Sequence, residues 1–443
     1  VNRKAHSTHS PLAVEILHTK REFLAFVGLC LALFVGNMLL EYSAYRAYIA
    51  PQDTQEIYAQ VIAQYTKHKN DSSYQVLKLK SNKGEIFYTT SKEDIRDISH
   101  RFVRIYGKRL ECSFVEYLKS CFFVSYRISL LADSDYRRSF RVYIEAQHNE
   151  PLIASLYKTL FLADFLPHIW RDLSNKLGVA HLIAISGFHL GILSLVVGGL
   201  LGFVYGRFHR FVSYRNKYFD IGILLCAVLL VYLFVLDFSP SFLRAYVMSV
   251  CAFVAIFSGI KLLSFRLLFV AVALCLALFP RLIFSVGFGL SISGVFFIYL
   301  FIKFSKFEWQ EGGILKKFLF LPLWFNTLIF LDMLILVHWS FPYFTPLNLF
   351  SIPLSLLFVI FFPCMLVAHI LGFGGLCDVL LQWAMGLELD SIEFYTPTWL
   401  LVAFLLLCVL AMRFRVAYIA LHCVGGSFFI FLCMRFMNLV YEM

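Results

Sequence analysis

The feature that most constrains this chain is a series of apolar runs near membrane-crossing length, interrupted once by a long polar block. A bilayer core is about 30 Å thick and takes about 20 residues of α-helix to cross. Runs of that order lie at 23–40, 178–206, 219–237, 242–258, 264–280, 282–302, 318–336, 346–370, 372–388, 398–412 and 417–434. The stretches 372–388 and 398–412 are the weakest, and either would suit a re-entrant or interfacial segment. Hydrophobic residues make up 60% of the 443 and charged residues 15%, against about 25% charged in soluble chains. Too few polar side chains remain to coat a soluble globule. The expected fold class is a polytopic α-helical membrane protein with about eleven transmembrane helices.

The organisation follows from where the runs stop. Residues 1–41 read as a polar basic N-terminus and a first transmembrane helix that is retained, since no signal-peptide cleavage site follows it. Residues 42–150 carry frequent charges and short alternating apolar runs, which is strand patterning. Strands are expected at 74–80, 85–90, 101–107, 112–118, 121–131 and 140–146, the first two joined as a hairpin through Ser81, Asn82, Lys83 and Gly84. That many short strands predict a small all-β barrel or sandwich. Residues 151–177 read as one amphipathic helix lying along the membrane surface, and 178–443 as the multi-span domain.

The formal net charge is +11, and its distribution is more informative than its sum. With the N-terminus in the cytoplasm, sixteen lysines and arginines fall in inside segments: before 23, and within 207–217, 261–266, 303–317 and 413–415. The short outside segments hold only Arg281 and Arg435. The positive-inside rule predicts such a ratio, so the expected topology is N-in and C-out with the β domain extracytoplasmic. Of the 11 cysteines, nine are scattered through apolar runs and read as small buried hydrophobes. Cys112 and Cys121 lie together in the polar block, where they either pair as a disulfide or sit as core cysteines on adjacent strands. The absence of CxxC, HExxH and GxxxxGK[ST] motifs argues against a zinc ribbon, a zinc protease and an ATP-driven transporter. No metal or cofactor is expected, and the chain does not read as an enzyme.

Polar residues inside the apolar runs mark the candidate site, because such groups are costly in hydrocarbon unless they face protein or water. The run 178–203 holds His181, Ser186, Gly187, His189 and Gly191 in its first half. Ser186 and His189 are three apart and share a helix face, and the Ser-Gly pair favours a kink. Either these residues wall an aqueous path, or the glycines admit close packing while the histidines satisfy backbone carbonyls. Arg244 stands inside another run, Gly287, Gly289 and Ser291 bring small residues into a third, and Asn348 and Pro353 mark the start of a fourth. One shared water-filled passage accounts for all of them more economically than separate packing accidents.

The run from His181 to His189, HLIAISGFH, resembles the signature of the ComEC competence family, the inner-membrane DNA-uptake channels of naturally transformable bacteria. Leu243–Met248 is similar to that family's Arg-Ala-x-x-Met segment. Phe279-Pro280 with Gly287–Ser291 resembles its Pro and Gly-Phe-x-Leu-Ser segment, and Asn348 with Pro353 matches its Asn-x-x-x-x-Pro. Phe188 stands where the family usually has Leu. The chain shows no HxHxDH motif before Met443, so the resemblance is to a short form without the metallo-β-lactamase-like domain.

The resemblance implies a channel importing single-stranded DNA across the inner membrane, with an OB-like periplasmic domain. It also implies an extracytoplasmic DNA receptor and a cytoplasmic helicase-like ATPase or single-strand binding protein as partners, with membrane lipid around the bundle. In the β domain, Lys78, Lys80, Arg101, Arg104, Lys108 and Arg109 are the candidate DNA-contacting cations, interleaved with Tyr74, Phe87, Tyr88, Phe102, Tyr106, Phe122 and Phe123 for base stacking. A polytopic transporter of another solute is the alternative.

Overall fold

The computed structural model describes residues 19–50, 54–69, 72–82, 84–91, 98–208, 214–258, 265–305, 313 and 315–442. Lys83 of the expected hairpin turn, and Arg3, Lys4, Arg210, Lys261 and Lys306 of the charge count, lie outside the described residues. The chain divides into two compact units, one of residues 27–158 with 275–285 and one of 1–26, 159–274 and 286–443.

In the first of these units the polar block forms a closed barrel. Its strands are β1 (Gln55–Lys69), β2 (Ser72–Ser81), β3 (Ile86–Ser91), β4 (Arg101–Arg109) and β5 (Cys121–Ser134), hydrogen-bonded in the order β1-β2-β3-β5-β4. The ring closes through antiparallel β1–β4 pairing, and β3 meets β5 in parallel with Phe87 opposite Cys121. Alternate residues point inward, so Ile57, Ala59, Val61, Leu77, Leu79, Phe87, Val103, Ile105 and Phe123 fill the interior. Phe87 and Phe123 are therefore core residues and not base-stacking platforms.

Two expected strands are helices. Residues 112–118 give α2 (Phe114–Lys119) because Ser113 and Glu116 form a reciprocal capping box, each accepting the other's backbone N–H. Residues 140–146 belong to α3 (Arg138–Glu145). Asp135 starts that helix by accepting the Arg137 backbone N–H at 3.1 Å, and the four-residue spacing of Arg137 and Arg141 brings both guanidiniums to its Oδ2 at 3.0 Å. An extended chain would send those two arginines to successive positions about 13 Å apart.

The same unit holds the distal part of α1 (Lys20–Ile49). Thirty residues span about 45 Å, more than a bilayer core needs, and the surplus carries Tyr45 and Tyr48 onto Phe114 and Tyr117 of α2. Glu41 accepts a bidentate pair from Arg281 at 2.8 and 2.7 Å. Cys112 and Cys121 are disulfide-bonded, with Cα atoms 6.2 Å apart.

Residues 151–177 form two helices and not one, α4 (Pro151–Leu162) and α5 (His168–Lys176). Ala163 at φ 60 and Pro167 ahead of α5 break the run. Neither helix presents the exposed apolar face of an interfacial segment: α4 buries Ile153, Tyr157 and Leu160–Leu162, and α5 buries Trp170 and Leu173.

The helical unit continues with α6 (Ala180–Ile183), α7 (Gly187–Phe208), α8 (Lys217–Val235), α9 (Pro240–Phe257), α10 (Phe265–Leu278), α11 (Val286–Phe304), α12 (Leu321–His338), α13 (Ser351–Ile370), α14 (Asp378–Met385), α15 (Thr398–Ala411) and α16 (Arg415–Glu442). Among the described residues seven helices, counting α1, are long and apolar enough to cross a membrane; α9, α10 and α15 are shorter apolar helices. The expected span at 178–206 is broken into α6 and α7 at Ala184–Ser186. That at 372–388 is a 3₁₀ turn and the eight-residue α14, about 12 Å of helix, because Gly372, Gly374 and Gly375 weaken helix propagation there. Cys364 and Cys423, expected inside, are exposed. Phe297, Leu300, Leu334, Ile335, Phe404, Leu421 and Phe428 form a core shared by α11, α12, α15 and α16. Two short strands, β6 (Tyr343–Phe344) and β7 (Ile392–Glu393), pair antiparallel and tie the loop after α12 to the one before α15.

Candidate functional site

The four polar segments, separated by up to 170 residues, meet in the helical unit. The first supplies a helix start inside the bundle. Ser186 caps α7: its Oγ accepts the Phe188 N–H at 3.3 Å and its carbonyl accepts the Leu190 N–H. Its own N–H donates to His189 Nδ1 at 3.3 Å, so the three-residue spacing read from the sequence makes a local clasp. His189 is buried between Phe358 and Phe362 of α13, with ring centroids 5.2 and 4.8 Å away in edge-on geometry. Its Nε2 is buried with no hydrogen-bond partner among the described residues, an unmet polar atom of a kind that native interiors rarely leave.

His181 stands two turns earlier and is exposed. Its Nδ1 lies 3.0 Å from the Gly178 carbonyl oxygen and its Nε2 3.5 Å from Ser355 Oγ in α13. Gly178 takes φ +69, and a Cβ there would stand 3.4 Å from Asn348. Glycine is therefore needed for the left-handed turn, whereas an added carbon would meet Asn348 at ordinary contact distance. Asn348 is buried, and its side-chain carbonyl oxygen also lacks a partner among the described residues. Thr345 Oγ1 fixes this loop by donating to the Lys176 carbonyl oxygen at 3.2 Å and accepting the Leu347 N–H at 3.0 Å. Pro353 is exposed in the first turn of α13, where a missing N–H costs nothing.

The second segment joins the first through Gly187, whose absent Cβ would stand 3.5 Å from Ala245 in α9. One residue earlier Arg244 is buried, donating to Ser241 Oγ at 3.2 Å, with its guanidinium 5.3 Å from the Phe288 ring centroid. Phe288 lies in α11 between Gly287 and Gly289, so the third segment enters through a cation–π contact. Gly287, Gly289 and Ser291 are exposed on α11. Every expected residue of the helical unit is thus in a segment that touches another. Sequence reasoning missed Ser355, Phe358 and Phe362, which contact the histidines from within an unremarkable apolar run.

In the barrel, Arg104, Tyr106 and Lys108 alternate on the outward face of β4 and are exposed, and Tyr126 of β5 lies beside Tyr106 at 6.4 Å. Arg101 is exposed at the start of that strand. Arg109 is held otherwise: its guanidinium sits 4.2 Å from the Tyr48 ring centroid and 3.4 Å from Glu85. Lys78 and Lys80 are half-buried on β2, and burial pushes the Lys78 ammonium below the usual lysine range.

Long apolar helices enclosing buried polar residues, together with a separate barrel, define a multi-pass membrane protein. A family model described as Competence protein matches residues 163–439, and the chain belongs to that family, the ComEC/Rec2 family of competence proteins. Membership ties it to DNA uptake during transformation. The match covers all four polar segments and leaves the barrel outside it. No curated protein and no solved structure matches the chain.

Proposed function

We propose that the chain is a conduit, and not an enzyme, through which single-stranded DNA crosses the inner membrane during natural transformation. The observation that carries this reading is the convergence of His181, His189, Arg244 and Asn348 from three apolar segments, His189 and Asn348 with unmet polar atoms, where hydrocarbon would penalise each one alone. The conduit has no nucleotide-binding loop in its sequence. Each phosphate drawn into an electrically negative cytoplasm is opposed by about 2.3 kcal/mol per 100 mV. A cytoplasmic helicase-like ATPase or single-strand binding protein therefore supplies the force, and an extracytoplasmic receptor delivers the strand.

The barrel acts as a periplasmic OB-like guide. Its support is the five-stranded closed order with the parallel β3–β5 contact, and the outward row Arg104, Tyr106 and Lys108, which suits a stacked, negatively charged strand. For the topology, β7 pairs with β6, so the chain returns at 392 to the side it occupied at 343 and crosses an even number of times between. An eight-residue α14 is too short to make one of two crossings. The segment 346–391 is then re-entrant, and the eleven expected spans become nine crossings with the N-in, C-out orientation and its charge asymmetry intact. Uptake of fluorescent DNA in a strain lacking this protein tests the function: DNA should reach the periplasm and stop. Arrival in the cytoplasm at the normal level would refute it.

A further inference from the structure

Asp332 belongs to none of the four segments, yet it is a carboxylate only 2% exposed in the middle of apolar α12. It lies about 16 Å along the axis from the start of that helix and about 9 Å from its end. Its Oδ1 is 2.9 Å from Nδ1 of His422 in α16. Gly425, one turn further along α16, permits that approach, since a Cβ there would stand 2.5 Å from the Leu331 carbonyl oxygen. The two backbones touch where the pair forms.

From α15 the titratable group facing Asp332 is Cys408. From α16 it is Tyr418, whose ring stands edge-on to the His422 imidazole at 4.4 Å. From the α11 end, Phe304 stacks on Tyr418 at 5.0 Å. Along α12 itself the next titratable group is His338, which turns its Nδ1 onto the Leu334 carbonyl oxygen at 2.9 Å. Among the described residues His422 is the sole ion-pair partner of Asp332. The remaining nitrogen, His422 Nε2, is buried and has no hydrogen-bond partner among those residues.

A carboxylate beside a neutral imidazole carries a net negative charge, which hydrocarbon strongly disfavours. One added proton cancels it. We propose that Asp332 and His422 form a proton-binding site within the membrane, loaded and unloaded from the end of the bundle where Ser305 and Arg415 lie. In the empty state His422 donates its Nδ1–H to the Asp332 carboxylate and keeps a lone pair on Nε2. The incoming proton forms the Nε2–H bond, giving an imidazolium–carboxylate pair of zero net charge, and it departs from the same atom. Tyr418, one turn before His422 on α16, lies on the side of the pair nearer that end. Loading removes a negative charge from mid-depth, so it favours passage of a polyanion. This last link rests on the DNA reading, whereas the protonation itself does not.

The test uses the full chain, ¹⁵N-histidine labelled and reconstituted in liposomes. The His422 Nε2 resonance, assigned by its loss in His422→Gln, should move from the unprotonated to the protonated position as the medium is acidified. In Asp332→Asn, which removes the stabilising carboxylate, the midpoint should fall by about 1 pH unit or more. A resonance fixed in one state across the histidine titration range, or an unchanged midpoint in Asp332→Asn, would overturn the site. Uptake measured at clamped acidic and alkaline internal pH should respond in wild type and not in Asp332→Asn at equal membrane abundance. An equal response in both overturns the coupling to DNA. If the chain conducts no DNA, both strains fail to import while the imidazole still titrates.

Discussion

Arg244 gives the most direct test of the proposed path. It is buried in α9, holds Ser241, and stacks on Phe288 of α11. A phosphate passing about 8 Å away, at an effective dielectric of about 20, would be attracted by about 2 kcal/mol. Arg244→Glu turns that into a repulsion of similar size, a change of about 4 kcal/mol and about a thousandfold in transit rate. Arg244→Lys keeps the charge and loses the planar fork and much of the stacking. Its loss should be the cation–π share, about 0.5–2 kcal/mol, or roughly 3- to 30-fold. Phe288→Leu removes the same contact from the other side and should match the lysine variant. The assay is cytoplasmic uptake of labelled DNA normalised to protein in the membrane, with thermal stability in detergent measured beside it. Normal uptake by Arg244→Glu at normal abundance would remove this residue from the mechanism.

Gly187→Ala should be tolerated, since the added carbon meets Ala245 at ordinary contact distance, whereas Gly187→Val should destabilise by about 1–3 kcal/mol through overpacking, read by thermal unfolding in detergent. Gly178→Ala should cost about 1–2 kcal/mol for its left-handed backbone alone, and His181 should become more accessible to histidine-modifying reagents as the loop shifts away from Asn348. At Asp135 burial raises the carboxyl pKa, but the Arg137 backbone N–H, its guanidinium and Arg141 outweigh that and hold it at about 2. Its stabilisation is therefore complete above the unfolded value near 4, and is lost as pH falls through about 2; in Asp135→Asn that part of the acid-unfolding profile should flatten. Arg104→Ala and Lys108→Ala should each weaken single-stranded DNA binding and lower its salt slope by about 0.7, while Arg109→Ala should chiefly lower stability. A cysteine at exposed Asn82 should label with an impermeant thiol reagent from outside spheroplasts, and one at exposed Tyr214 should not; labelling at Tyr214 would reverse the topology.

The four strands read at 74–80, 85–90, 101–107 and 121–131 were legible because a barrel wall alternates between core and solvent, and their residues do too. β1 was not, although Ile57, Ala59, Val61 and Ala63 alternate as cleanly, because alanine and glutamine are weak strand residues. At 112–118 and 140–146 short-range polar chemistry overrode apolar alternation: Ser113 with Glu116, and Asp135 with Arg137 and Arg141, stabilise helix starts that a hydrophobicity pattern does not register. In both cases the deciding side chains were visible in the sequence, two to six residues apart.

The candidate site was legible for a different reason. Solvent is the wrong place to look for functional polarity in a chain like this, because the bilayer penalises every polar side chain that protein or water does not receive. His189, Arg244 and Asn348 stand out against their apolar neighbours in the amino-acid sequence alone, and the order of the four segments says that they belong together. Their pairing is another matter. Gly178 against Asn348, Gly187 against Ala245 and Arg244 against Phe288 are contacts set by which helix faces meet, and the spans themselves carry almost no amphipathic signal to orient them. Asp332 and His422 show the limit most clearly. Each stands among apolar neighbours in its helix, 90 positions from its partner, and only the closeness of α12 and α16 at Gly425 makes a pair of them. A lone intramembrane charge in a sequence therefore asks for a partner without identifying it, and the glycine that allows two helices to touch is the residue by which to search for one.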